Sequence, residues 1–550
     1  MTPELMMSNT KAMIDELKAV LQSFGLGNSS GAYKIISELF LYKFLNDKFF
    51  YEVRQADETY KDSKNIEADL EKLSEDEYEF LVASISETAA QLKREHFISH
   101  LFNNKNTEGF HVLFDDTLTG ISNLNIDVFS VKTGAMDTIK LFEPISNLVP
   151  ESNRRDDFCR AMIDKLVAFS FEGAFEQKYD FFAAVFEYLV KDFNKDFGAY
   201  AEYYTPHNIA TIIARILAPE GAKNVTIYDP AAGTGTLVLA LAHQIGEDNC
   251  TIYTQDISQK SNEFMRLNLI LNGLIHSLSN VIHGDTLVSP QHLNRQKNGL
   301  MKFDYIVSNP PFNVDFSDTR DTLAGDNYKE RFFAGVPNIP NKAKEKMAVY
   351  LMFLQHIIYS LKEDGGKAAI VVPTGFLTAA TGIPKTIREH IITNRMLRGV
   401  ISMPSNIFAT TGTSVSILFI DSSNKDGKVV LMDASNLGHK EKVDGKNQRT
   451  VLDPEDIELI IDVFNSASEK ENFSVLVDYK DIEDKKYSFS AGQHFEIKTE
   501  YVAITETEFN NKIKGYAAEL RTYFAESSGL QEEILNQLKR LTFQSKSDEG

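Results

Sequence analysis

Val225-Thr-Ile-Tyr-Asp-Pro-Ala-Ala-Gly-Thr-Gly-Thr-Leu237 is the stretch of this 550-residue chain that decides its fold. Its first four residues are β-branched or aromatic, which predicts a strand, and the apolar residues that run on to Ile245 predict a helix. Gly233 and Gly235 permit a tight turn between the two elements and a close approach of a ligand to the backbone. The segment therefore predicts the first strand, turn and helix of a Rossmann-like, doubly wound α/β sheet.

A second predicted strand, Thr251–Thr254, leads to Asp256, which lies about 20 residues beyond the glycines. A Rossmann-type site places an acid there to bind ribose hydroxyls, so this order of elements predicts a nucleoside cofactor. A dinucleotide is disfavoured because Val238 stands where the dinucleotide fingerprint needs its third glycine. Asp229 would also repel a pyrophosphate, whereas its carboxylate suits the cationic amino end of S-adenosylmethionine.

A third strand-like run, Val281–His283, precedes Gly284 and Asp285. Two roles fit Asp285 at the end of such a strand. Its carboxylate either accepts a hydrogen bond from the adenine amine of the cofactor or caps the turn that follows.

The four residues Asn309-Pro310-Pro311-Phe312 directly follow Phe303–Ser308, an apolar run that predicts a buried strand. The two prolines stop the strand and stiffen the loop, and the residue before a proline is held extended. An amide and an aromatic ring are therefore displayed together at the end of a strand. This pair suits a flat exocyclic amine on a base, and the alternative is a rigid turn that only ends the strand.

Together these motifs resemble those of adenine-N6 DNA methyltransferases, and in particular of the modification subunit of type I restriction-modification systems. The resemblance extends over about residues 10–545 and is sharpest between 202 and 420. The segments that carry it are Glu202–His207, Asp229–Leu237, Asp256, Asp285, Ser308–Phe312, Gly365–Pro373, Met403–Phe408 and Thr413–Ile420.

The resemblance implies a site-specific, adenine-specific DNA methyltransferase with a Rossmann-like sheet that uses S-adenosylmethionine and needs no metal. The catalytic residues that it implies are Asn309, Pro310, Pro311 and Phe312. The cofactor-binding residues that it implies are Glu202, Tyr203, Tyr204, Thr205, Pro206, His207, Asp229, Pro230, Ala231, Gly233, Thr234, Gly235, Thr236, Asp256, Ile257, Asp285 and Thr286. Phe408 is a weaker candidate for the second face of the base and fits a core position better.

Other substrates remain open at this point, because the same four residues occur in enzymes that methylate cytosine N4, RNA bases or protein glutamine. All of these substrates present a planar amine or amide. A methylase-like scaffold without activity is a further alternative, which the intact Asn309 and the intact cofactor loop disfavour.

Three regions are predicted along the chain. Residues 1–180 form an N-terminal helical domain, with amphipathic helices at Ala12–Phe24 and Ile35–Val53. Residues 181–480 form the methyltransferase domain, and residues 481–550 form a C-terminal helical segment with two helices interrupted at Ser527–Gly529. Inside the second region, the long polar stretch Asn313–Met347 is expected to close over the flipped base or to contact DNA.

The overall charge predicts that this chain does not grip DNA by itself. Its net charge is −21, whereas phosphate neutralisation by a basic face dominates the affinity of DNA-binding proteins. The resemblance implies double-stranded DNA as the substrate and further subunits that supply the missing contacts to it. These subunits are a specificity subunit on which the C-terminal helices dock, a second copy of this chain in a complex of two modification subunits with one specificity subunit, and a restriction subunit.

Composition is that of an ordinary globular protein, with 43% apolar and 25% charged residues. No run reaches the roughly 18 apolar residues that a membrane span needs, and the N-terminus does not resemble a secretion signal. Cys159 and Cys250 are too few and too far apart for a disulfide framework. We therefore expect a protein of the reducing cytoplasm with no membrane partner, and the resemblance implies a bacterial or archaeal cell.

Overall fold

A computed structural model describes most of the chain. The described residues are 3–27, 31–85, 89–132, 138–175, 181, 184–185, 188–189, 205–218, 221–408, 414–424, 427–443, 447–496 and 504–539. The chain divides into two compact units, Met1–Phe495 and Glu496–Gly550.

A large mixed sheet forms the centre of the first unit. Within the described residues its strands are β1 Val225–Asp229, β2 Cys250–Asp256, β3 Val281–His283, β4 Tyr305–Ser308, β5 Lys367–Pro373, β6 Leu397–Ser402, β7 Val415–Asp421, β8 Val429–Asp433 and β9 Ser474–Val477. Their spatial order is β9-β8-β6-β7-β5-β4-β1-β2-β3. The predicted doubly wound sheet is confirmed: β1 to β4 correspond to the four strands that were predicted individually, and β5 to β9 complete the sheet.

The direction of the strands determines where a ligand can bind. β3, β2, β1, β4 and β5 are parallel, β7 runs antiparallel between β5 and β6, and β8 is parallel to β6. The strand order reverses between β1 and β4, and open α/β sheets bind ligands beyond the carboxyl ends of their strands at such a point. Asp229, Asp256 and Ser308 end three of these strands, so the predicted motifs meet at one edge.

Helices cover the sheet and build the N-terminal region. In the first unit they are Pro3–Ser23, Ala32–Ala56, Ile66–Leu70, Glu75–Ser84, Ile98–Asn103, Phe110–Leu124, Ile126–Phe129, Arg155–Val167, His207–Leu217, Thr236–Ile245, Gln259–Leu271, Arg320–Leu323, Tyr350–Ser360, Gly382–Thr393, Pro454–Asn465 and Tyr479–Asp484. No helix in the described part of the chain is long and apolar enough to cross a membrane.

The N-terminal helices pack directly on the sheet domain. The two helices predicted near the N-terminus lie within Pro3–Ser23 and Ala32–Ala56, and the first ends just before Gly25, whose φ is 74°. Tyr33 donates a hydrogen bond to Glu263 (2.9 Å), and Arg266 donates one to the Phe129 carbonyl (2.7 Å). A short strand pair, Val131–Lys132 with Thr138–Ile139, also interrupts the helical region.

The second unit contains a single described helix, Glu506–Lys539, in which every residue is exposed. The prediction of two helices interrupted at Ser527–Gly529 is wrong. A glycine costs a helix only about 1 kcal/mol relative to alanine, and the good helix formers on either side carry the helix through Gly529.

The stretch between Asn313 and Met347 contains little regular structure but has a core of its own. Its regular elements are the short helix Arg320–Leu323 and the single 3-10 turns Asp326–Tyr328 and Lys344–Lys346. Leu323 and Phe332 are buried against Leu287 and against the helix Tyr350–Ser360. The stretch is therefore an ordered wall next to β4, which its polar composition alone does not indicate.

Candidate active site

The amide of Asn309 lies immediately after β4 and is held by a neighbouring segment. Its Nδ2 donates to Thr205 Oγ1 (3.2 Å), and the residue is 9% exposed. Ser308, one residue earlier, donates from Oγ to Asp229 Oδ1 (2.9 Å) and so ties the ends of β4 and β1 together. With its nitrogen committed to Thr205, the Asn309 amide offers Oδ1 as a hydrogen-bond acceptor.

A cavity of about 430 Å³ opens beside Asn309 at the carboxyl edge of the sheet. Such a volume suits a nucleoside-sized ligand. The predicted site residues that line it are Pro230, Ala231, Gly233, Asp256, Ile257, Asp285, Thr286, Asn309 and Pro311.

A second, very small cavity of about 10 Å³ adjoins the first one. The predicted site residues that line it are Thr205, Asp229, Ala231, Thr234, Thr236 and Asn309. Ala231 and Asn309 belong to both linings, so the amide lies between the two spaces.

The remaining predicted site residues have other positions. Pro206 and His207 line a separate groove of about 100 Å³. Pro310 is buried, and Phe312 is half-buried with its ring edge-to-face with Tyr350 (centroids 6.3 Å apart). Glu202, Tyr203 and Tyr204 lie outside the described residues. Phe408 is buried in the core.

Asp229 is an acid in an unusual environment. It is 2% exposed, and its carboxylate accepts hydrogen bonds from the Ala231 N–H and the Ser308 hydroxyl (both 2.9 Å). Burial raises the pKa of Asp229 to about 7, against the effect of these two donors, and the nearby Asp256 adds to the rise. A cation bound next to Asp229 would therefore favour ionisation of this carboxyl at neutral pH.

Asp256 connects the loop that follows β1 with the loop that follows β2. Its Oδ2 accepts from the Gly233 N–H and its Oδ1 from the Ser258 N–H, both at 2.8 Å. Burial raises the pKa of Asp256, and these two backbone donors oppose the rise. The acid that was predicted from its distance to the glycines thus also shapes the glycine loop.

Asp285 has the turn role that its sequence position allowed. Its Oδ1 accepts from the Leu287 N–H (2.8 Å) and the Val288 N–H (3.2 Å), while the residue lines the large cavity. Thr286 Oγ1 donates to the Pro230 carbonyl (2.7 Å) and fixes the third loop to the first.

Arg331 supports the turn that carries Asp285, and sequence reasoning missed it. It is 5% exposed, and its guanidinium donates to the carbonyls of Thr286 (3.4 Å) and Leu287 while it covers the Phe332 ring at 4.4 Å. Burial lowers the pKa of Arg331 to about 10, so it is a cation at neutral pH. No motif marks this arginine, because its partners lie about 45 residues earlier in the chain.

The glycine turn is held by a second missed residue. Asn268, on the helix Gln259–Leu271, donates to the Thr234 carbonyl (2.9 Å). Gly235 has φ 87°, and a Cβ built on it would lie 2.1 Å from the Met265 sulphur. The turn therefore requires glycine here for both its backbone conformation and its packing.

The lining of the large cavity fits S-adenosylmethionine. Asp256 and Asp285 contribute carboxylates to this lining, which can accept hydrogen bonds from hydroxyl and amine groups. Leu323, Val349 and Phe353 supply apolar surface suited to a flat purine. Asp229 lines the adjoining small cavity, where its carboxylate can pair with an ammonium group.

A sheet of this order, with a nucleoside-sized cavity at its carboxyl edge and an Asn-Pro-Pro-Phe corner beside it, fits the class expected from the motifs, a methyltransferase that acts on a planar amine. Residues 177–502 match the model of the family described as N-6 DNA Methylase, more than half of the chain. The chain belongs to this family and is an adenine-specific DNA methyltransferase. The family and the enzyme class expected from the motifs are confirmed, and the alternative substrates are not favoured.

Individual relatives agree with this assignment. The methylase subunit of the type I restriction enzyme MpnII from Mycoplasma pneumoniae is 29% identical over 427 residues, which are 76% of this chain and 71% of that protein. The crystal structure of a type I restriction-modification methyltransferase subunit from Streptococcus thermophilus has a TM-score of 0.69 at 20% identity and covers 90% of this chain and 99% of its own. A chain from a structural study of complex assembly and conformational transition in the type I system has a TM-score of 0.50 at 17% identity, with coverages of 97% and 99%. These two structures share the fold.

Proposed function

We propose that this chain transfers a methyl group from S-adenosylmethionine to N6 of an adenine flipped out of double-stranded DNA. The observation that carries the proposal is the position of Asn309. Its amide stands between Thr205 and a cavity of about 430 Å³ whose walls include Asp256 and Asp285. A base that entered beside Asn309 would meet a ligand held in that cavity.

The cofactor would be held by acids at the ends of three strands. Asp256 would bind the ribose hydroxyls, Asp285 the adenine amine and Asp229 the amino group. Arg331 and Thr286 would act at one remove, since they hold the turn that carries Asp285. Bound S-adenosylmethionine supplies a methyl group on a sulfonium, which is electrophilic enough for an aromatic amine.

The chain's own residues would prepare the adenine amine, whose lone pair is delocalised into the ring. Asn309 Oδ1 and the Pro310 carbonyl would each accept a hydrogen bond from one of the two N–H groups of this amine. These bonds would favour a tetrahedral nitrogen whose lone pair is free to attack the methyl group. Phe312 would stack on the base, with Tyr350 supporting its ring from the edge. Positioning and selective hydrogen bonding then supply the rate enhancement.

The stretch Asn313–Met347 would separate the reaction from water. Val314, Phe316 and Leu323 line the cavity on the side next to Pro311. A wall that begins directly after the catalytic corner is well placed to touch the flipped base or its DNA.

The C-terminal helix would dock on a specificity subunit. Its apolar positions follow alternating steps of four and three residues, as in a coiled coil, with one serine in the series. The positions in this series are Phe509, Ile513, Tyr516, Leu520, Tyr523, Ser527, Leu530 and Ile534. The seven apolar side chains are 49–61% exposed. An apolar seam of this length needs a partner helix, and the net charge of −21 requires a partner for DNA as well.

The proposed assembly contains two copies of this chain, one specificity subunit and a restriction subunit in the cytoplasm. Residues 1–180 would flank the DNA or a partner, residues 181–480 would carry out transfer, and residues 481–550 would dock. The relatives that are methylase subunits of type I restriction enzymes support the role of this chain as one subunit of such an enzyme.

Mapping of modified bases in genomic DNA tests the proposed function. The chain would be expressed with its neighbouring genes in a methylation-free host, as wild type and as Asn309→Ala. N6-methyladenine at a split recognition sequence in the wild type and its absence in the variant would support the proposal. N4-methylcytosine, or no DNA mark from a folded and cofactor-bound complex, would refute it.

A further inference from the structure

A two-stranded hairpin stands at the same edge of the sheet as Asn309. β8 is parallel to β6, and its carboxyl end leads to the antiparallel pair His439–Val443 and Asn447–Val451. The base of the hairpin is fixed on the active-site side, since Asn208 Nδ2 donates to the Leu452 carbonyl (3.3 Å). Thr205, three residues before Asn208, contacts the catalytic amide.

A second anchor joins the hairpin to the loop after β6. The Thr450 hydroxyl donates to the Ser405 carbonyl (2.6 Å), and the Thr450 N–H donates to the Asn406 carbonyl (3.0 Å). Thr450 pairs with Lys440 across the ladder, so the two residues share one face of the hairpin. That face is therefore turned towards the loop after β6, at the carboxyl edge of the sheet.

The charge of the hairpin is opposite to that of the chain. Residues 439–452 contain four basic residues and two acidic ones, whereas the whole chain has a net charge of −21. The basic residues are Lys440, Lys442, Lys446 and Arg449, and the acidic ones are Glu441 and Asp444. A local excess of positive charge in such a chain marks a surface for an anionic partner.

The two lysines of the face beside the active site are available to a partner. Lys440 and Lys442 are exposed, and alternate residues of a strand point to the same side. Among the residues that the structure describes, neither lysine forms an ion pair. Glu441 lies on the opposite face, directly across from Arg449 and 3.3 Å from the His439 ring, and Asp453 contacts the other nitrogen of that ring.

A groove separates the hairpin from the segment that carries Thr205. Its volume is about 100 Å³, and Arg449 and Thr450 line one side while Pro206 and His207 line the other. The hairpin therefore shares a concave surface with the residues that directly follow Thr205.

We propose that the hairpin His439–Val451 holds the phosphate backbone of the DNA strand next to the flipped adenine. This inference rests on the proposed function and names the surface by which this subunit touches its substrate. A flipped base leaves the duplex at the carboxyl edge, so its neighbouring phosphates must pass over the elements at that edge. A two-stranded ribbon is narrow enough to lie along a groove of the double helix, and exposed lysines contact phosphates without regard to sequence.

Charge reversal on one face tests the inference. The complex would be prepared with Lys440→Glu and Lys442→Glu together. Its control carries Lys428→Glu and Lys480→Glu, two exposed lysines at the opposite edge of the sheet from the hairpin. Lys428 directly precedes β8, and Lys480 follows β9, which is antiparallel to β8. Binding to a fluorescent duplex would be measured between 50 and about 200 mM salt, with tritium transfer to unmethylated genomic DNA in parallel.

The hairpin variant should bind DNA at least about tenfold more weakly, and its log–log salt slope should fall by about two because two phosphate contacts are lost. The control should stay within about twofold of wild type. Lys440→Gln with Lys442→Gln should show the same loss of slope with a smaller loss of affinity, since it removes charge without adding repulsion. Cofactor affinity and melting temperature should not change in any variant.

Equal affinities and salt slopes for the hairpin variant and the control would overturn the inference. Loss of subunit assembly with intact DNA binding by the assembled fraction would also overturn it, because the hairpin would then serve a protein partner. Failure of the wild-type complex to methylate DNA would instead refute the proposed function. Normal wild-type transfer with an insensitive hairpin variant would refute the hairpin inference alone.

Discussion

Titration of Asp229 is expected to control the binding of S-adenosylmethionine. Burial raises the pKa of this carboxyl to about 7, and the group lines the small cavity next to Asn309. The amino group of the cofactor would pair with the ionised carboxylate, so binding below pH 7 must release the proton that the free protein holds. Cofactor affinity should therefore rise with pH around neutrality.

The size of this effect follows from the raised pKa. A carboxyl with a pKa of about 7 is about 9% ionised at pH 6 and about 91% ionised at pH 8, so its titration alone would raise the affinity about tenfold, or about 1.4 kcal/mol. The amine of the ligand, with a pKa of roughly 8, is about half protonated at pH 8, so the net rise should be about fivefold, or about 1 kcal/mol. A carboxyl at the ordinary value of 3.8 would be ionised throughout and would give no such rise.

Titration calorimetry of the wild-type protein and of Asp229→Asn, at half-unit steps from pH 6 to pH 8, measures this dependence. Buffers of different ionisation enthalpy report the released protons, about 0.9 per cofactor at pH 6. The Asp229→Asn variant should bind the cofactor at least about tenfold more weakly at pH 8, and its affinity should not rise between pH 6 and pH 8. Asp315→Asn, which removes an exposed carboxylate from the wall of the large cavity, should keep the wild-type slope.

Loss of folding would not explain the expected result. A carboxyl whose pKa is raised by folding lowers the free energy of unfolding as the pH rises from about 4 through 7, because the ionised form is disfavoured in the folded state. Asn at position 229 can keep the bonds from Ala231 and Ser308 without the charge. The variant should therefore be at least as stable as wild type at pH 8. A flat wild-type affinity between pH 6 and pH 8, or an equal slope in Asp229→Asn, would refute the reasoning.

Three further substitutions test the supports of the site. Thr205→Val removes the partner of the catalytic amide and should lower the single-turnover rate at saturating cofactor about tenfold, whereas Thr205→Ser should restore the rate. Gly235→Ala should cost at least about 2 kcal/mol in chemical denaturation because its Cβ meets a methionine sulphur, and Gly273→Ala, with a similar φ and open space, should cost only about 1 kcal/mol. Arg331→Met should free the turn that carries Asp285 and weaken cofactor binding about tenfold in calorimetry. Arg320→Met, in the same stretch but without contact to that turn, should leave cofactor binding unchanged. Equal effects of the two substitutions would contradict the role assigned to Arg331.

The elements that could be predicted are those with local signatures. β1, β2 and β3 were visible as β-branched or apolar runs that end in Asp229, Asp256 or Gly284, and each lies within about two residues of its predicted position. The corner Asn309–Phe312 could be predicted because two successive prolines allow few backbone conformations and end a strand.

The contacts that could not be predicted join residues far apart in the chain. Thr205 and Asn309 are 104 residues apart, and Arg331 reaches Thr286 across 45 residues, so neither pair has a spacing that a motif search detects. The continuity of the C-terminal helix was missed for a different reason. The Ser-Ser-Gly signal at Ser527–Gly529 is weaker than the helix propensity of the residues that surround it.

Methyl transfer by Asn309→Ala tests the central claim most directly. The measurement is single-turnover transfer from labelled S-adenosylmethionine to unmethylated DNA, with the complex saturated in both substrates and cofactor affinity measured on the same preparation. Loss of the amide acceptor should lower the rate roughly 100- to 1,000-fold and leave cofactor affinity unchanged. A rate within about threefold of wild type, with the cofactor bound, would contradict the assignment of Asn309 as the catalytic group.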